Sequence, residues 1–159
     1  MGAKGEVFAK QFEAKAEEAT ALLEKLSETD WKKTTAAERW TVAVTAHHIA
    51  SSYESATHIV KAITAGLALP HFNREMLDEM NAQHAEEFAG CTKAETIALH
   101  RKTGAAAAAA VRSLSDEELA KTDTVFAGMP PVSAEELVKH ILLGHIDAHV
   151  GSIRTTIGG

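Results

Sequence analysis

The sequence has little of what disulfide-bonded, secreted and membrane-spanning proteins need. One cysteine, Cys91, occurs in 159 residues, which excludes an internal disulfide framework and fits a reducing cytosol. No stretch approaches the roughly 20 consecutive apolar residues that cross a bilayer. The first residues also lack the apolar segment of a signal peptide. These absences predict a soluble, cytoplasmic protein with no membrane partner.

Strand-forming and basic patterns are scarce as well. The chain has three prolines and one tyrosine, and no alternation of β-branched and aromatic residues lasts long enough to predict a strand. Its formal net charge is -6, which argues against the basic patch that a nucleic-acid partner requires. The length fits one domain that can bury a core. We therefore expect a single all-α domain over residues 1–159.

Helical periodicity and capping signals mark the segments of this domain. The long ones suggest a four-helix bundle, whose interior is a common place for metal sites built from facing helices. The polar stretch 27–39 is interpreted as a loop with at most a short turn, and 121–132 as the longest segment without helical signals. Helices are predicted at about 7–26, 42–66, 74–88, 93–114 and 134–153.

The last predicted helix carries two histidines, His145 and His149. At about 100° per residue they point in nearly the same direction, with Cβ atoms roughly 5–6 Å apart, so both imidazoles can bind one metal ion. The alternative is a pair of buried imidazoles that donate to backbone carbonyls. A zinc-peptidase helix is excluded, because Ile146 stands where the HExxH motif has glutamate.

A third ligand must come from another helix, and His48 is the candidate. It shares a helical face with Val44 and Ser52, which has the character of an inward face with polar positions. A set of three histidines leaves a coordination position open for water, and this open position distinguishes catalytic from structural metal sites. Ser52 could hydrogen-bond such a water, although a packing role is the simpler interpretation.

The other histidines are given lesser roles. His47 is rotated about 100° from His48 and is interpreted as a supporting or surface group, and His140 lies about 140° from His145 around an ideal helix. The remainder are treated as ordinary surface or core residues. They are His58, His71, His84 and His100.

Two motifs resemble the signatures of the DinB-like superfamily of DinB/YfiT-like metalloenzymes. In that family a Trp-Ser or Trp-Thr pair precedes the helix with the first histidine, and the last helix carries H-x3-H followed by a small and an apolar residue. Ala148 and Val150 depart from the family, which often has an arginine or a further histidine there. The matching residues are Trp40-Thr41 with His48-Ile49-Ala50, and His145-Ile146-Asp147-Ala148-His149-Val150-Gly151-Ser152-Ile153.

The resemblance spans the chain and implies a four-helix bundle with a metal site between helices near one end. It implies that His48, His145 and His149 are the metal ligands, that water completes the shell, and that the protein is a homodimer. Three imidazoles suit zinc, nickel, iron, cobalt or copper, with zinc as the default.

The resemblance also implies a class of reaction. Relatives include thiol S-transferases that use bacillithiol or mycothiol, so we expect a metal-activated low-molecular-weight thiol and a small electrophilic substrate. A metal-dependent hydrolase is the alternative, but no carboxylate base is found on the His48 face to favour it. A non-catalytic metal or small-molecule binding protein and a plain helical scaffold also remain open.

Overall fold

Long helices dominate the computed structural model, which describes residues 2–69 and 71–158. Three are α1 (Ala3–Lys25), α3 (Val42–Ala65) and α5 (Lys93–Arg112), and a fourth rod runs through α7 (Ala134–Leu137), a π-helical segment (Val138–Leu143) and α8 (Gly144–Gly158). These four pack on one another around the core. The predicted all-α class and four-helix bundle are confirmed. Shorter helices connect them: α2 (Glu28–Lys32), α4 (Arg74–Glu87) and α6 (Asp116–Leu119).

The helix ends follow the capping chemistry of the sequence. The Thr41 hydroxyl accepts from the Val44 amide, and Gly66 closes α3 with a positive φ of 70°, a conformation that glycine adopts without a Cβ penalty. Capping boxes are formed at Thr92 and Ser115. At Ser133 the hydroxyl accepts from the Glu136 amide, which is one half of such a box.

The core is filled where α1, α3 and α5 meet. Phe12 and Tyr53 are buried and their rings meet edge to face with centroids 4.9 Å apart. At Gly104 the helix α5 lies close to both partners, since an added Cβ would be in ordinary van der Waals contact, at 3.9 Å, with Ala16 and with Tyr53. The alanine run of α5 is therefore a packing surface within the bundle, with Ala107 and Ala108 buried.

Two segments differ from the sequence prediction. The interpreted loop 121–132 contributes to a two-residue antiparallel ladder, in which Thr122–Asp123 pairs with Val132–Ser133. The last helix, predicted as one uniform α-helix, contains the π-helical segment. Its Gly144 amide donates to the Lys139 carbonyl five residues earlier. A Cβ at Gly144 would lie 3.2 Å from that oxygen, so the glycine eases the π turn.

One helix lies outside the core. All residues of α4 are described, and none of them is buried. It follows the Gly66 turn and leans on α3, while the preceding Phe72 forms an isolated bridge with Phe126. The helix therefore covers one side of the bundle without contributing to its centre. Within the described residues, no helix is long and apolar enough to span a membrane.

His100 ties α5 to α3. Its Nε2–H donates to the Ala46 carbonyl at 2.8 Å, and the side chain is 2% exposed. Burial lowers the pKa of His100 to about 4, although the Ala46 hydrogen bond opposes that shift. The folded protein thus holds this imidazole neutral where the unfolded chain would already bind a proton.

We expect His100 to make stability fall with acidification. Because its folded pKa is depressed, its contribution is present above the ordinary value of 6.5 and is lost as the pH falls from there toward 4. Urea unfolding of chelator-treated protein at several pH values should show a shallower slope in His100→Gln, by up to about 1.4 kcal/mol per pH unit. Parallel slopes for the two proteins would contradict the prediction.

Candidate metal centre

Three imidazoles from two helices converge at one point. Nε2 of His145 lies 3.1 Å from Nε2 of His48 and 3.1 Å from Nε2 of His149. One ligand atom from each of the three residues lies within 4.8 Å of the others. The structure therefore brings together all three residues that the sequence predicted as ligands.

The local fold explains the convergence. His145 and His149 are one turn apart within α8, after the π-helical segment, so their α-helical spacing is intact. His48 lies in the second turn of α3, which Thr41 caps, and α3 packs against α8. The junction of these two helices is where the third ligand was expected.

Burial keeps these imidazoles neutral. It lowers the pKa of His48 to about 3, and the neighbouring His145 and His149 add to the shift. Burial likewise lowers the pKa of His145 to about 4, with His149 contributing. The pKa of His149 is also lowered by burial, which Glu38 opposes. At neutral pH the ring nitrogens are thus available as ligands rather than protonated.

The spacing of the nitrogens fits a divalent cation. Two metal–nitrogen bonds of about 2.0–2.1 Å at a tetrahedral angle place their nitrogens about 3.3 Å apart. The observed separations of 3.1 Å are close to this value. Three ring nitrogens pointed at one another cannot all be satisfied by hydrogen bonds among themselves, because neutral imidazole has one donor and one acceptor. Together with the cluster itself, these features suggest a divalent metal ion without identifying the element.

A carboxylate supports the cluster from behind, and sequence reasoning missed it. Glu38 Oε1 lies 3.4 Å from Nδ1 of His149, and its Oε2 accepts from the Ser152 hydroxyl at 2.7 Å. The Glu38 side chain is only 9% exposed. An acceptor at Nδ1 favours the tautomer in which Nδ1 carries the proton and Nε2 offers its lone pair to the centre.

A tight turn before α3 positions Glu38. Thr35 and Trp40 are joined by a hydrogen bond from the Thr35 amide to the Trp40 carbonyl, 2.8 Å long. Between them Arg39 adopts a left-handed φ of 63°, an uncommon conformation for a residue with a side chain. No periodic signal in the sequence marks this turn, so a carboxylate within it could not be assigned to a helix face. The nearest signal was the adjacent Trp40-Thr41 motif.

Trp40 flanks two of the three histidines. Its ring meets His48 edge-on with centroids 5.1 Å apart and lies parallel to His149 at 6.5 Å. The edge-to-face pair with His48 has the geometry that stabilises aromatic contacts. The tryptophan of the sequence motif is therefore part of the wall of the site.

A second histidine pair adjoins the cluster. Nδ1 of His47 lies 2.8 Å from Nε2 of His84, and the His47 ring stacks on Phe88 with centroids 3.9 Å apart. Ser51 lies 3.3 Å from the same His47 nitrogen. His84 was interpreted as an ordinary residue, whereas it joins α4 to α3 beside His48, with ring centroids 5.6 Å apart. No spacing rule could have linked residues 37 positions apart.

The remaining histidines lie elsewhere. His58, His71 and His140 are exposed, and His100 is the buried tie described above. The predicted angle between His140 and His145 assumed a regular α-helix, and the π-helical segment between them changes the rotation per residue. Cys91 is half-buried, with Sγ 3.5 Å from the Ala43 carbonyl, and burial raises the pKa of its thiol. It is therefore not an activated nucleophile.

A cavity of about 310 Å³ opens beside the cluster, with His48 and His145 in its wall. Its other lining side chains come from α3, from α4, from the segments around Phe72 and Phe126, and from the π-helical segment. Most are apolar. They are Ser52, Ser55, Ala56, Ile59, Phe72, Leu77, Met80, Asn81, Phe126 and Ile141. Ser52 thus faces the cavity next to His48.

Comparison with known proteins places these features in a family. Residues 11–153 match the DinB superfamily. No curated protein matches the chain in sequence. The match covers both helices that carry the histidine cluster and the turn that carries Glu38.

Solved structures share the fold at low sequence identity. YfiT from Bacillus subtilis, a probable metal-dependent hydrolase with an unusual four-helix bundle topology, is 15% identical with a TM-score of 0.77, covering 99% of this chain and 90% of its own. The mycothiol-dependent maleylpyruvate isomerase is 15% identical with a TM-score of 0.73, covering 94% of this chain. The present chain spans 60% of the length of that isomerase.

Proposed function

The chain belongs to the DinB superfamily, and on that premise we propose that it is a metal-dependent enzyme in which His48, His145 and His149 bind one divalent ion. The observation that carries the proposal is the convergence of the ring nitrogens of three partly buried histidines from α3 and α8. Zinc is the proposed ion, since tetrahedral histidine sites suit it well. The alternative is a non-catalytic metal-binding protein, which would bind the ion without catalysing a reaction.

We propose thiol S-transfer to a small electrophile as the reaction. When bound, a divalent ion with three neutral ligands keeps its full charge and stabilises a thiolate at neutral pH. Cys91 contacts the Ala43 carbonyl and is not among the three clustered residues, so the thiol must be a separate low-molecular-weight molecule. The fold that the chain shares with a mycothiol-dependent isomerase supports a bacillithiol- or mycothiol-type thiol.

The chain's own residues hold the site in one protonation and rotamer state. Glu38 accepts from Nδ1 of His149 and is itself held by Ser152. Trp40 meets His48 edge-on and lies parallel to the ring of His149. Because Glu38 lies on the Nδ1 side of His149, it is turned away from the point where the Nε2 atoms meet. Its place is that of a positioning residue and not of a base for an attacking water.

Hydrolysis is the second candidate. YfiT, named as a probable metal-dependent hydrolase, shares the fold over nearly the whole of both chains. The same ion that stabilises a thiolate can lower the pKa of water.

The homodimer also stays a prediction, which the mass in solution would test.

We expect each of the three histidines to be required for metal binding. In protein purified without a metal-affinity column, His48→Ala, His145→Ala and His149→Ala should each lose most of the bound metal, because two imidazoles are a poor site. Elemental analysis measures the content per chain, and circular dichroism verifies the fold. The matched control is His58→Ala, which removes an exposed histidine of α3 and should keep the bound metal. Unchanged content in the three variants would refute the ligand assignment.

Glu38→Gln should weaken metal binding without removing a ligand. Loss of the carboxylate that orients a ligating histidine typically costs about 10–100-fold in affinity. Competition with a chromophoric chelator would measure the dissociation constant for zinc. Glu28→Gln, at an exposed position in α2, makes the same change of charge in the same polar stretch and should have no effect. Equal affinities for both variants would rule out the positioning role.

A thiol panel should separate the two reactions. The purified protein would be mixed with low-molecular-weight thiols and 1-chloro-2,4-dinitrobenzene, with ester substrates tested in parallel without thiol. S-transfer predicts thiol-dependent product formation that a chelator abolishes and zinc restores. Thiol-independent ester cleavage with the same chelator response would favour hydrolysis instead. A rate indifferent to chelator in both assays would argue against any metal-dependent mechanism.

A further inference from the structure

The cavity beside the histidine cluster has a chemical character of its own. It begins at His48 and His145 and continues between α3 and α4 for a volume of about 310 Å³. This is at the small end of the range of about 300–1,000 Å³ for small-molecule sites. Such a space takes a molecule the size of one substituted aromatic ring.

Its lining is uncharged. None of the described residues that line it is an aspartate, glutamate, lysine or arginine. A charged molecule entering the cavity would lose hydration and gain no ion pair from the walls. Glu38 is engaged by His149 and Ser152 and does not line the cavity.

The polar groups that do face the cavity are neutral. Ser52 offers a hydroxyl one turn after His48, and Asn81 offers an amide from α4. Each can form hydrogen bonds with a carbonyl, amide or hydroxyl group. The rest of the lining, apart from Ser55 and the two histidines, is apolar and includes Phe72, Phe126 and Ile141. This division resembles the usual build of a small-molecule site, in which a few polar groups orient an apolar ligand.

The mouth of the cavity is apolar too. Met80 lines it and is 50% exposed. Met76, one turn earlier on α4, is 37% exposed and shares that face of the helix. Exposed methionines are adaptable contacts for apolar ligands. Because none of the residues of α4 is buried, this wall can adjust with little cost to the core.

We propose that this cavity binds the co-substrate as a neutral, largely apolar molecule of about one aromatic ring, whose polar group lies at Ser52 and Asn81 and whose remainder packs on Met80 and Phe126. The proposal rests on the proposed function for the reaction that the bound molecule undergoes. Its binding preference follows from the lining alone. In the metal-free chain, anionic and cationic analogues of the same shape are therefore discriminated against.

The preference can be measured with two isosteric probes. Benzamide and benzoate differ in charge but hardly in shape, and their binding to the chelator-treated full-length chain can be followed by amide chemical shifts at neutral pH. Chelation removes the ion that a carboxylate would otherwise coordinate. We expect benzamide to bind about tenfold more tightly or better, since the anion loses hydration without a counter-charge. The shifted amides should include those of Ser52 and Asn81.

A charge placed in the wall should reverse the preference. Met80→Lys adds a cation to the lining at a half-exposed position, so the benzoate affinity should rise and the tenfold ratio should shrink or invert. Met76→Lys is the matched control, because it makes the same change one turn away and outside the lining. The charge of Met76→Lys lies farther from the bound carboxylate and is partly screened in about 0.15 M salt, so Met76→Lys should change the ratio less than Met80→Lys.

Three results would overturn the proposal: no saturable binding of benzamide, benzoate binding as tightly as benzamide to the wild-type chain, or equal responses of Met80→Lys and Met76→Lys. These results are distinct from a failure of the proposed function. Absence of metal in the purified chain would remove the enzyme proposal, and the binding comparison, which uses chelated protein, would still decide the character of the cavity.

Discussion

The packing of α3 against α8 is the constraint on which the candidate site depends. It brings three partly buried imidazoles together, and this burial lowers their pKa values, to about 3 for His48 and about 4 for His145. In a surface cluster these groups would bind protons in weakly acidic solution and repel one another. Neutral rings can instead bring their nitrogen atoms close enough to bind one ion. The bundle thus supplies both the geometry and the protonation state that metal coordination requires.

Partial burial of these imidazoles costs free energy of hydration, which hydrogen bonds to other residues offset. Buried imidazoles need partners for their second nitrogens, and Glu38 provides one for His149 while Ser152 holds the carboxylate. His47 and His84 satisfy each other beside the cluster. Nδ1 of His84 and Nδ1 of His100 have no partner among the described residues.

The sequence predicted the parts of this structure that obey a regular period. His145 and His149 follow from helical spacing within α8, and His48 follows from the inward face of α3, so the convergence of all three rings was foreseeable. The position of Glu38 was not foreseeable, because it lies in an irregular turn in which Arg39 is left-handed. Such a turn has no repeating sequence pattern from which to predict it. The π-helical segment was not predicted for a related reason. The i to i−5 hydrogen bond at Gly144 does not change the pattern of apolar residues in the sequence. The pairing of His47 with His84 depends on where α4 docks, and nothing in its exposed sequence specified that.

The two sides of the cluster divide its electrostatics. On one side, His149, Ser152 and Glu38 place a negative charge against the Nδ1 edge of a ligand, where it strengthens that ligand as a donor. On the other side, the cavity wall carries no charge on any described residue. The positive charge of a cation bound by the three histidines would be partly neutralised by Glu38 on one side. On the cavity side no wall charge would neutralise it. A molecule in the cavity would thus meet the field of the ion with no competing wall charge, and low polarity there strengthens that field. A neutral lining is therefore suited to polarising a neutral co-substrate.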